Sequence, residues 1–181
     1  MTSAIGFALF DTAIGSCGIA WGEHSLAGVQ LPEADAAAGQ ARLQRRFPQL
    51  REALPPPWVA SAIARIQGLL AGAHDDLADL PLEMESVPAF NRRVYEIARA
   101  IAPGRTLTYG EVARRLGDPG AARAVGQALG HNPFAPVVPC HRVLAAHGAG
   151  GGFSAEGGVA TKLKMLEIEK AQLGHGPGLF D

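Results

Sequence analysis

The chain contains 181 residues, of which 48% are hydrophobic and 18% are charged, and its formal net charge is -1. This composition is typical of a globular protein with a packed core and argues against a disordered chain. No run of about 18 apolar residues is available to cross a bilayer, and the first residues lack the basic start of a secretion signal. We therefore expect a cytoplasmic protein whose two cysteines, Cys17 and Cys140, stay reduced.

The net charge conceals an uneven distribution along the chain. Residues 1–90 carry five arginines against ten acidic residues, whereas residues 91–142 carry eight arginines against three acidic residues. Residues 143–181 carry three lysines against four acidic residues. The basic middle segment suits phosphate binding, but a solvated helix face gives the same count, so charge alone leaves both interpretations open.

The first half of the chain mixes short strand patterns with helical ones. Strands in a meander are predicted at residues 4–10, 18–21 and 25–31. Helices are predicted at 33–47 and 58–71, on either side of a proline-rich segment, and an edge strand is predicted at 80–84. We expect an N-terminal α/β structural domain over residues 1–87, with a small β-sheet and flanking helices.

The second half reads as mostly helical. A helix over 90–101 ends at Pro103-Gly104, and Thr108 to Glu111 form a capping box at the start of a helix that runs to Leu116. A turn at 117–120 leads to a second short helix over 121–130, which gives a helix-turn-helix pattern. The predicted fold is thus α+β, with a winged-helix-like C-terminal domain over 88–175 and a tail over 176–181.

The second helix of this pair has an unusual surface of small residues around one cation, Arg123. The small residues are Ala121, Ala122, Ala124, Gly126 and Ala128. Most helix-turn-helix matches are plain helical hairpins. Here, however, small residues permit close approach to a narrow groove and a long cation can reach between stacked bases, so DNA binding is favoured.

The tetrapeptide Pro139-Cys140-His141-Arg142 places a thiol beside a possible base. A free thiol has a pKa of about 8.5, so an imidazole that takes its proton makes it a usable nucleophile. A buried structural cysteine is the alternative, because adjacent residues need not face each other. Cys17 and His24 suggest half of a metal site, but nothing completes four ligands, so no metal is predicted.

Together these segments resemble the O6-alkylguanine-DNA alkyltransferases, also called methylated-DNA-protein-cysteine methyltransferases. The resemblance is strong over about residues 88–172 and loose before them. The matching segments are Thr108-Tyr109-Gly110-Glu111-Val112-Ala113, Ala122-Arg123-Ala124-Val125-Gly126, Asn132-Pro133, Pro139-Cys140-His141-Arg142-Val143, Lys162 and Glu169.

The resemblance implies a DNA repair protein that binds duplex DNA containing O6-alkylguanine in the minor groove and flips the damaged base. The alkyl group would pass irreversibly to Cys140, so that each molecule, a monomer by expectation, acts once. No cofactor is implied, because the alkyl donor is the DNA itself.

The resemblance also assigns roles to individual residues. Cys140 would be the acceptor, His141 would relay its proton through a water, and Glu169 would orient the histidine. Asn132 would support that network, Tyr109 would give a proton to the leaving guanine, and Arg123 would fill the gap left by the flipped nucleotide. The residues Tyr109, Ala122, Ala124 and Gly126 would contact DNA, and the substrate pocket would comprise Tyr109, Leu129, Phe153, Ser154 and Lys162. Arg142 is expected to hold nearby carbonyl groups.

Several points stay open at this stage. The charged pattern of the helix predicted at 159–173 also fits a solvated face for Lys162 and Glu169. Asn132 also fits a loop cap ahead of Pro133, and Tyr109 a core aromatic. The loop over 148–158 departs from one common family pattern by an apparent two-residue insertion after Phe153-Ser154, which puts the range of accepted adducts in doubt.

Three other classes of protein also remain open. A lesion-recognition module without chemistry would lack the acceptor cysteine that this chain retains. A Cys-His hydrolase or transferase acting on a small molecule leaves Arg123 unexplained. A helix-turn-helix regulator makes the segment 139–142 accidental.

Overall fold

The N-terminal half is built on a three-stranded antiparallel sheet. The computed structural model of the chain describes residues 4–146 and 158–171. Its first strands are β1 (Ala4–Thr12), β2 (Gly15–Gly22) and β3 (Leu26–Gln30), in the order β1-β2-β3. The hairpin between β1 and β2 closes at Thr12 and Gly15, where a φ of 128° requires glycine. The predicted meander is confirmed.

Two helices follow the sheet. Helix α1 (Ala36–Arg46) begins at Asp35, whose carboxylate accepts a hydrogen bond from the Ala38 amide at 2.8 Å. Helix α2 (Pro57–Leu69) begins with proline at its first position, where the missing N–H removes no helical hydrogen bond. Buried residues of α2 join the sheet in one hydrophobic cluster.

The predicted edge strand at 80–84 was wrong in extent. The chain forms only an isolated bridge there, between Leu82 and Leu26 of β3. The Leu26 amide donates to the Pro81 carbonyl, and the Glu83 amide donates to the Leu26 carbonyl. Pro81 has no N–H to donate before the bridge, and after it the Glu85 amide donates to the Glu83 carboxylate at 2.8 Å, so the pairing does not extend into a ladder.

The second half contains the predicted helical pair. Helix α3 (Ala89–Arg99) precedes α4 (Tyr109–Arg115), a 3₁₀ turn (Pro119–Ala121) and α5 (Ala122–Gly130). The capping box is confirmed, because the Thr108 hydroxyl accepts from the Glu111 amide at 3.0 Å. Helix α6 (Val159–Ile168) is the last described element. The mixed α+β fold is as predicted.

Two short strands were not predicted from the sequence. Strand β4 (Leu107–Thr108) pairs in parallel with β5 (Val143–Leu144), directly after a 3₁₀ turn formed by Cys140–Arg142. Strands of two residues are too short to show an alternating pattern. Their pairing brings the start of α4 close to the 3₁₀ turn.

Two large hydrophobic clusters form the interior. The first contains the sheet and α2, and the second contains residues of α3, α4 and α5. Val137 and Met165, which come from the second half of the chain, pack into the first cluster. The two halves of the chain are therefore in contact. The division into two domains near residue 88 stays a prediction. In the described part of the chain, none of the helices is long and apolar enough to cross a membrane.

Candidate active site and DNA-contacting helix

Cys140 lies at the start of the 3₁₀ turn and is almost completely buried, with 6% of its surface exposed. The Cys140 amide donates to the Val138 carbonyl at 2.9 Å, and the Arg142 amide donates to the Pro139 carbonyl at 2.9 Å. These hydrogen bonds define the turn on either side of the thiol.

His141 is held by a carboxylate on one side of its ring. Its Nε2 lies 2.8 Å from Oε1 of Glu169, and both side chains are buried. A carboxylate only accepts hydrogen bonds, so Nε2 carries the hydrogen and Nδ1 keeps its lone pair. Among the described residues, this buried Nδ1 has no hydrogen-bond partner. The arrangement therefore leaves His141 ready to accept a proton at Nδ1.

Arg142 completes a buried triad of charged and polar groups with His141 and Glu169. Its Nε and Nη2 donate to the two carboxylate oxygens of Glu169 at 3.0 and 2.7 Å, and its Nη1 donates to the Ile101 carbonyl at 2.8 Å. The carbonyl contact agrees with the role predicted for Arg142. The two-pronged contact with Glu169 was not predicted from the sequence.

The electrostatic environment keeps Glu169 ionised and His141 neutral. Burial alone would raise the pKa of Glu169, but hydrogen bonds from His141 and Arg142 outweigh it and lower that pKa to about 2. Burial lowers the pKa of His141, although the neighbouring carboxylate opposes this effect. The imidazole is thus in the form that can act as a base at neutral pH.

The thiol itself is more difficult to ionise than a free cysteine. Burial raises the pKa of Cys140, while a hydrogen bond from Asn132 and the positive charge of Lys162 partly counteract burial. A thiol in this position needs a nearby base to become a nucleophile. His141 supplies a candidate for that base.

Asn132 follows α5 and fastens the segment that leads to Cys140. Its Nδ2 donates to the Val138 carbonyl at 2.8 Å, and its Oδ1 accepts from the Phe134 amide at 2.9 Å. The loop-capping alternative accounts only for the contact with the Phe134 amide. Through Val138, the same side chain also connects the end of α5 to the segment just before Cys140.

Tyr109 and Lys162 are close enough to Cys140 for their charges to interact with the thiol. The Lys162 Nζ lies 3.4 Å from the Tyr109 hydroxyl and 5.6 Å from the centre of its ring. Burial, and then the charge of Cys140, raise the pKa of Tyr109. Burial lowers the pKa of Lys162 to about 8.

The solvated face considered for α6 was wrong for its two site residues. Lys162 is fully buried and Glu169 is 5% exposed. Helix α6 packs against the 3₁₀ turn that carries Cys140, so its charged residues on that side are removed from solvent. The sequence pattern of the helix could not reveal this, because the turn that buries it lies far away along the chain.

On helix α5, the Arg123 side chain is exposed to solvent and lies outside the buried hydrophobic cluster. Ala122, Ala124 and Gly126 are partly buried, and a Cβ at Gly126 would lie 3.8 Å from the Tyr109 ring. Leu129 is buried in the second hydrophobic cluster. Phe153 and Ser154, predicted for the substrate pocket, lie outside the described residues.

One anchor of α5 was missed at the sequence level. The Tyr95 hydroxyl donates to the Ala128 carbonyl at 2.7 Å, and Tyr95 is 1% exposed. The sequence predicted a helix over 90–101, but its pattern gave no sign of this hydrogen bond. Tyr95 thereby fixes α5 on α3.

Comparisons with known proteins agree with this arrangement. The model of the family described as "6-O-methylguanine DNA methyltransferase, DNA binding domain" matches residues 89–171. The methylated-DNA--protein-cysteine methyltransferase of Mycobacterium tuberculosis is 40% identical over 126 residues, 70% of this chain and 74% of that protein. The protein of the same name from Methanothermobacter thermautotrophicus is 33% identical over 156 residues, 86% of this chain and 80% of that protein.

A solved structure extends the similarity to both halves of the fold. The crystal structure of Mycobacterium tuberculosis OGT in complex with DNA superimposes with a TM-score of 0.73 at 32% identity, covering 92% of this chain and 93% of that one. On this evidence, the chain belongs to the family of the methylated-DNA--protein-cysteine methyltransferases.

Proposed function

We propose that this protein repairs duplex DNA by transferring the alkyl group of an O6-alkylguanine to the sulfur of Cys140, once per molecule. The observation that carries the proposal is the buried pair of Cys140 and His141, in which Glu169 fixes the imidazole hydrogen on Nε2. The choice of O6-alkylguanine as the substrate follows from the family to which the chain belongs.

The reaction starts at the thiol. His141 Nδ1 takes the proton of Cys140, directly or through a water, and Glu169 stabilises the imidazolium that forms. The sulfur then attacks the alkyl carbon, so that a carbon–sulfur bond forms while the bond from that carbon to O6 breaks. The product is a thioether, which the site has no means to cleave, and the protein is consumed.

The leaving guanine receives a proton as the bond breaks. Tyr109 is suited to donate it, because its hydroxyl lies beside Lys162, whose cation stabilises the phenolate that is left. The raised pKa of Tyr109 keeps its hydroxyl protonated before the reaction. The His141 imidazolium then loses its proton and the Tyr109 phenolate gains one, so that overall the proton lost by Cys140 equals the proton gained by the guanine.

The alkylated guanine must rotate out of the DNA duplex to reach the sulfur, because Cys140 is only 6% exposed. Helix α5 offers small residues for close approach to the minor groove and the exposed Arg123 to fill the gap. The surplus of arginine over residues 91–142 supports binding to phosphates. Duplex DNA is therefore the proposed partner.

We also place the protein in the cytoplasm. An alkyl acceptor must keep its thiol reduced, and Cys17 and Cys140 are both free and buried. A monomer suffices for the reaction, because every group that we invoke comes from one chain.

The test is intact-mass spectrometry after incubation with a duplex that carries one O6-methylguanine. We expect the wild type to gain one methyl group per molecule on Cys140, and we expect Cys140→Ala to gain none. Binding of the lesion duplex without a gain in mass would instead make the protein a recognition module. Repeated turnover without methylated protein would indicate a Cys-His hydrolase or transferase.

A further inference from the structure

The carbonyl of Pro133 connects the N-terminal half of the chain to the active-site half. It accepts a hydrogen bond from the Val29 amide of β3 at 3.0 Å and another from Nη2 of Arg46, at the end of α1, at 2.9 Å. Val29 also forms an isolated parallel bridge with Phe134. Both lone pairs of one carbonyl are thus used by donors from the other half of the molecule.

The guanidinium of Arg46 is built into its position. Its Nη1 donates to the side chain of Gln30 at 3.2 Å, and Gln30 is itself 2% exposed and donates to the Gly39 carbonyl at 2.8 Å. The guanidinium also lies 5.3 Å from the centre of the Phe47 ring. Burial, and then the neighbouring Arg42, lower the pKa of Arg46 to about 10, so the group has lost much of its hydration.

Glycine at position 28 is needed for this arrangement. A Cβ there would lie 2.6 Å from Nη2 of Arg46 and 3.0 Å from the Phe47 ring. Any side chain at this position of β3 would push the guanidinium away from the Pro133 carbonyl. The strand is therefore shaped to admit the arginine.

The segment that Arg46 holds continues to the acceptor thiol. Pro133 follows Asn132, and the Asn132 side chain binds the Phe134 amide and the Val138 carbonyl. The Val138 amide donates to the Phe134 carbonyl at 3.0 Å, and the Cys140 amide donates to the Val138 carbonyl at 2.9 Å. Hydrogen bonds, together with the peptide bond between Asn132 and Pro133, thus connect Arg46 to Cys140.

We propose that Arg46 is a positioning residue for alkyl transfer, which sets the orientation of Asn132 and thereby the reactivity of Cys140. The N-terminal half would accordingly tune the chemistry of the second half. This inference rests on the proposed function for its substrate, but the positioning of the thiol can be measured without DNA. Arg46 touches neither the sulfur nor its base, so its effect is indirect.

The experiment compares Arg46→Ala with Arg45→Ala, which removes the same charge from an exposed position of the same helix. Two measurements are made on each folded protein. One is the single-turnover rate of methyl transfer from a saturating O6-methylguanine duplex. The other is the pH profile of Cys140 alkylation by iodoacetamide, followed on the Cys140 peptide. Arg46→Lys and Gly28→Ala test the same contact with the positive charge retained.

We expect Arg46→Ala to slow transfer about tenfold, because a charge-assisted hydrogen bond to the positioned carbonyl is lost. The pH profile of Cys140 should move to higher pH, because the Asn132 hydrogen bond that favours the thiolate is loosened. Arg45→Ala should stay within about twofold of the wild type on both measurements. Arg46→Lys and Gly28→Ala should give intermediate losses, because each disturbs the contact without removing the cation.

The proposal is overturned if Arg46→Ala is merely less stable, with a transfer rate and a pH profile equal to those of Arg45→Ala. If Arg46→Ala does not fold, Arg46→Lys and Gly28→Ala replace it in the same comparison. The proposal is then overturned if their transfer rates and pH profiles equal those of Arg45→Ala. A wild type that transfers no methyl group, combined with a shifted pH profile in the Arg46 variants, would refute the proposed function and leave the positioning role intact.

Discussion

The two cysteines of the chain provide a natural comparison, because both are free and buried. Cys17 lies in β2, fully buried between apolar neighbours, and its side chain contacts the Thr12 hydroxyl at 3.8 Å. Burial raises the pKa of Cys17 to about 12, and the hydrogen bond with Thr12 offsets little of this effect. Cys140 is equally secluded but has Asn132, His141 and Lys162 around it.

The comparison shows that the neighbours of a thiol, rather than its exposure, decide whether it can be a nucleophile. In the sheet, the groups beside Cys17 are backbone, apolar side chains and the Thr12 hydroxyl, which is too weak a base to take the thiol proton at neutral pH. At the 3₁₀ turn, by contrast, α6 and the segment after α5 bring polar side chains to Cys140 from two directions. Removing these partners one at a time should make Cys140 resemble Cys17.

Among the groups that surround the Cys140–His141 pair, the largest effect is expected from Glu169→Gln, with the exposed Glu167→Gln, two residues earlier in α6, as its control. The change leaves Arg142 buried without its counter-charge and no longer fixes the His141 hydrogen on Nε2. We expect single-turnover methyl transfer to fall about 10³-fold, a loss in the range typical of general-base catalysis. An activity equal to that of Glu167→Gln would contradict the role of Glu169.

The same carboxylate should be visible in the pH dependence of stability. Its pKa is about 2 in the folded chain and 4.5 in its ordinary state, so the unfolded chain binds more protons between these values. The stabilisation, about 3 kcal/mol, is fully present above pH 4.5 and is lost as the pH falls toward 2. Urea unfolding of wild type and Glu169→Gln between pH 2 and 7 measures it: the two curves should converge in acid. Parallel curves would refute the buried ion pair.

Lys162→Met should have a smaller effect on the rate and the opposite effect on stability. Loss of the cation beside Cys140 and Tyr109 should slow transfer about tenfold, since one charge interaction favouring the thiolate is removed. The folded pKa of Lys162 is about 8, below its ordinary 10.5, so its charged form opposes folding at neutral pH. We therefore expect Lys162→Met to raise the melting temperature at pH 7, as thermal unfolding would record. The matched control is the exposed Lys164→Met.

The smallest effect on activity is expected from Cys17→Ala. Because Cys17 lies among apolar residues of the first cluster, its loss should leave the transfer rate within about twofold of the wild type. The free energy of unfolding should decrease by about 1 kcal/mol through the small cavity that is left. A large loss of transfer in a folded Cys17→Ala protein would show that the sheet thiol takes part in the chemistry.

Local sequence signals predicted the helical pair and singled out the tetrapeptide that contains Cys140. The Thr108–Glu111 capping box and the Cys140-His141 pair each lie within a few residues, so a local pattern in the sequence can indicate them. The resemblance to a family supplied Glu169 and Lys162 as candidates. Their burial was not foreseen, because it depends on a turn contributed by another part of the chain.

Contacts between distant segments stayed out of reach of sequence reasoning. Arg46 and Pro133 are 87 residues apart, and nothing near either of them in the sequence indicates that they meet. Two further contacts between distant segments were also not predicted. They are the pairing of β4 with β5 and the hydrogen bonds of Arg142 with Glu169. The edge strand predicted at 80–84 is only a single bridge, because Pro81 lacks an N–H and the Glu85 amide binds a side chain instead of β3.

The most direct test of the account is the single-turnover rate of methyl transfer against pH, at saturating lesion duplex, for wild type and His141→Phe. Because the pKa of His141 lies below its ordinary 6.5, the wild-type rate should not fall between pH 7 and 6.5, and above pH 7 it should change by no more than about tenfold as Lys162, with a pKa of about 8, loses its charge. His141→Phe should be at least about 100-fold slower at pH 7, with a rate that rises about tenfold per pH unit as the unaided thiol ionises. Two parallel profiles would contradict the account, because they would mean that Cys140 needs no base.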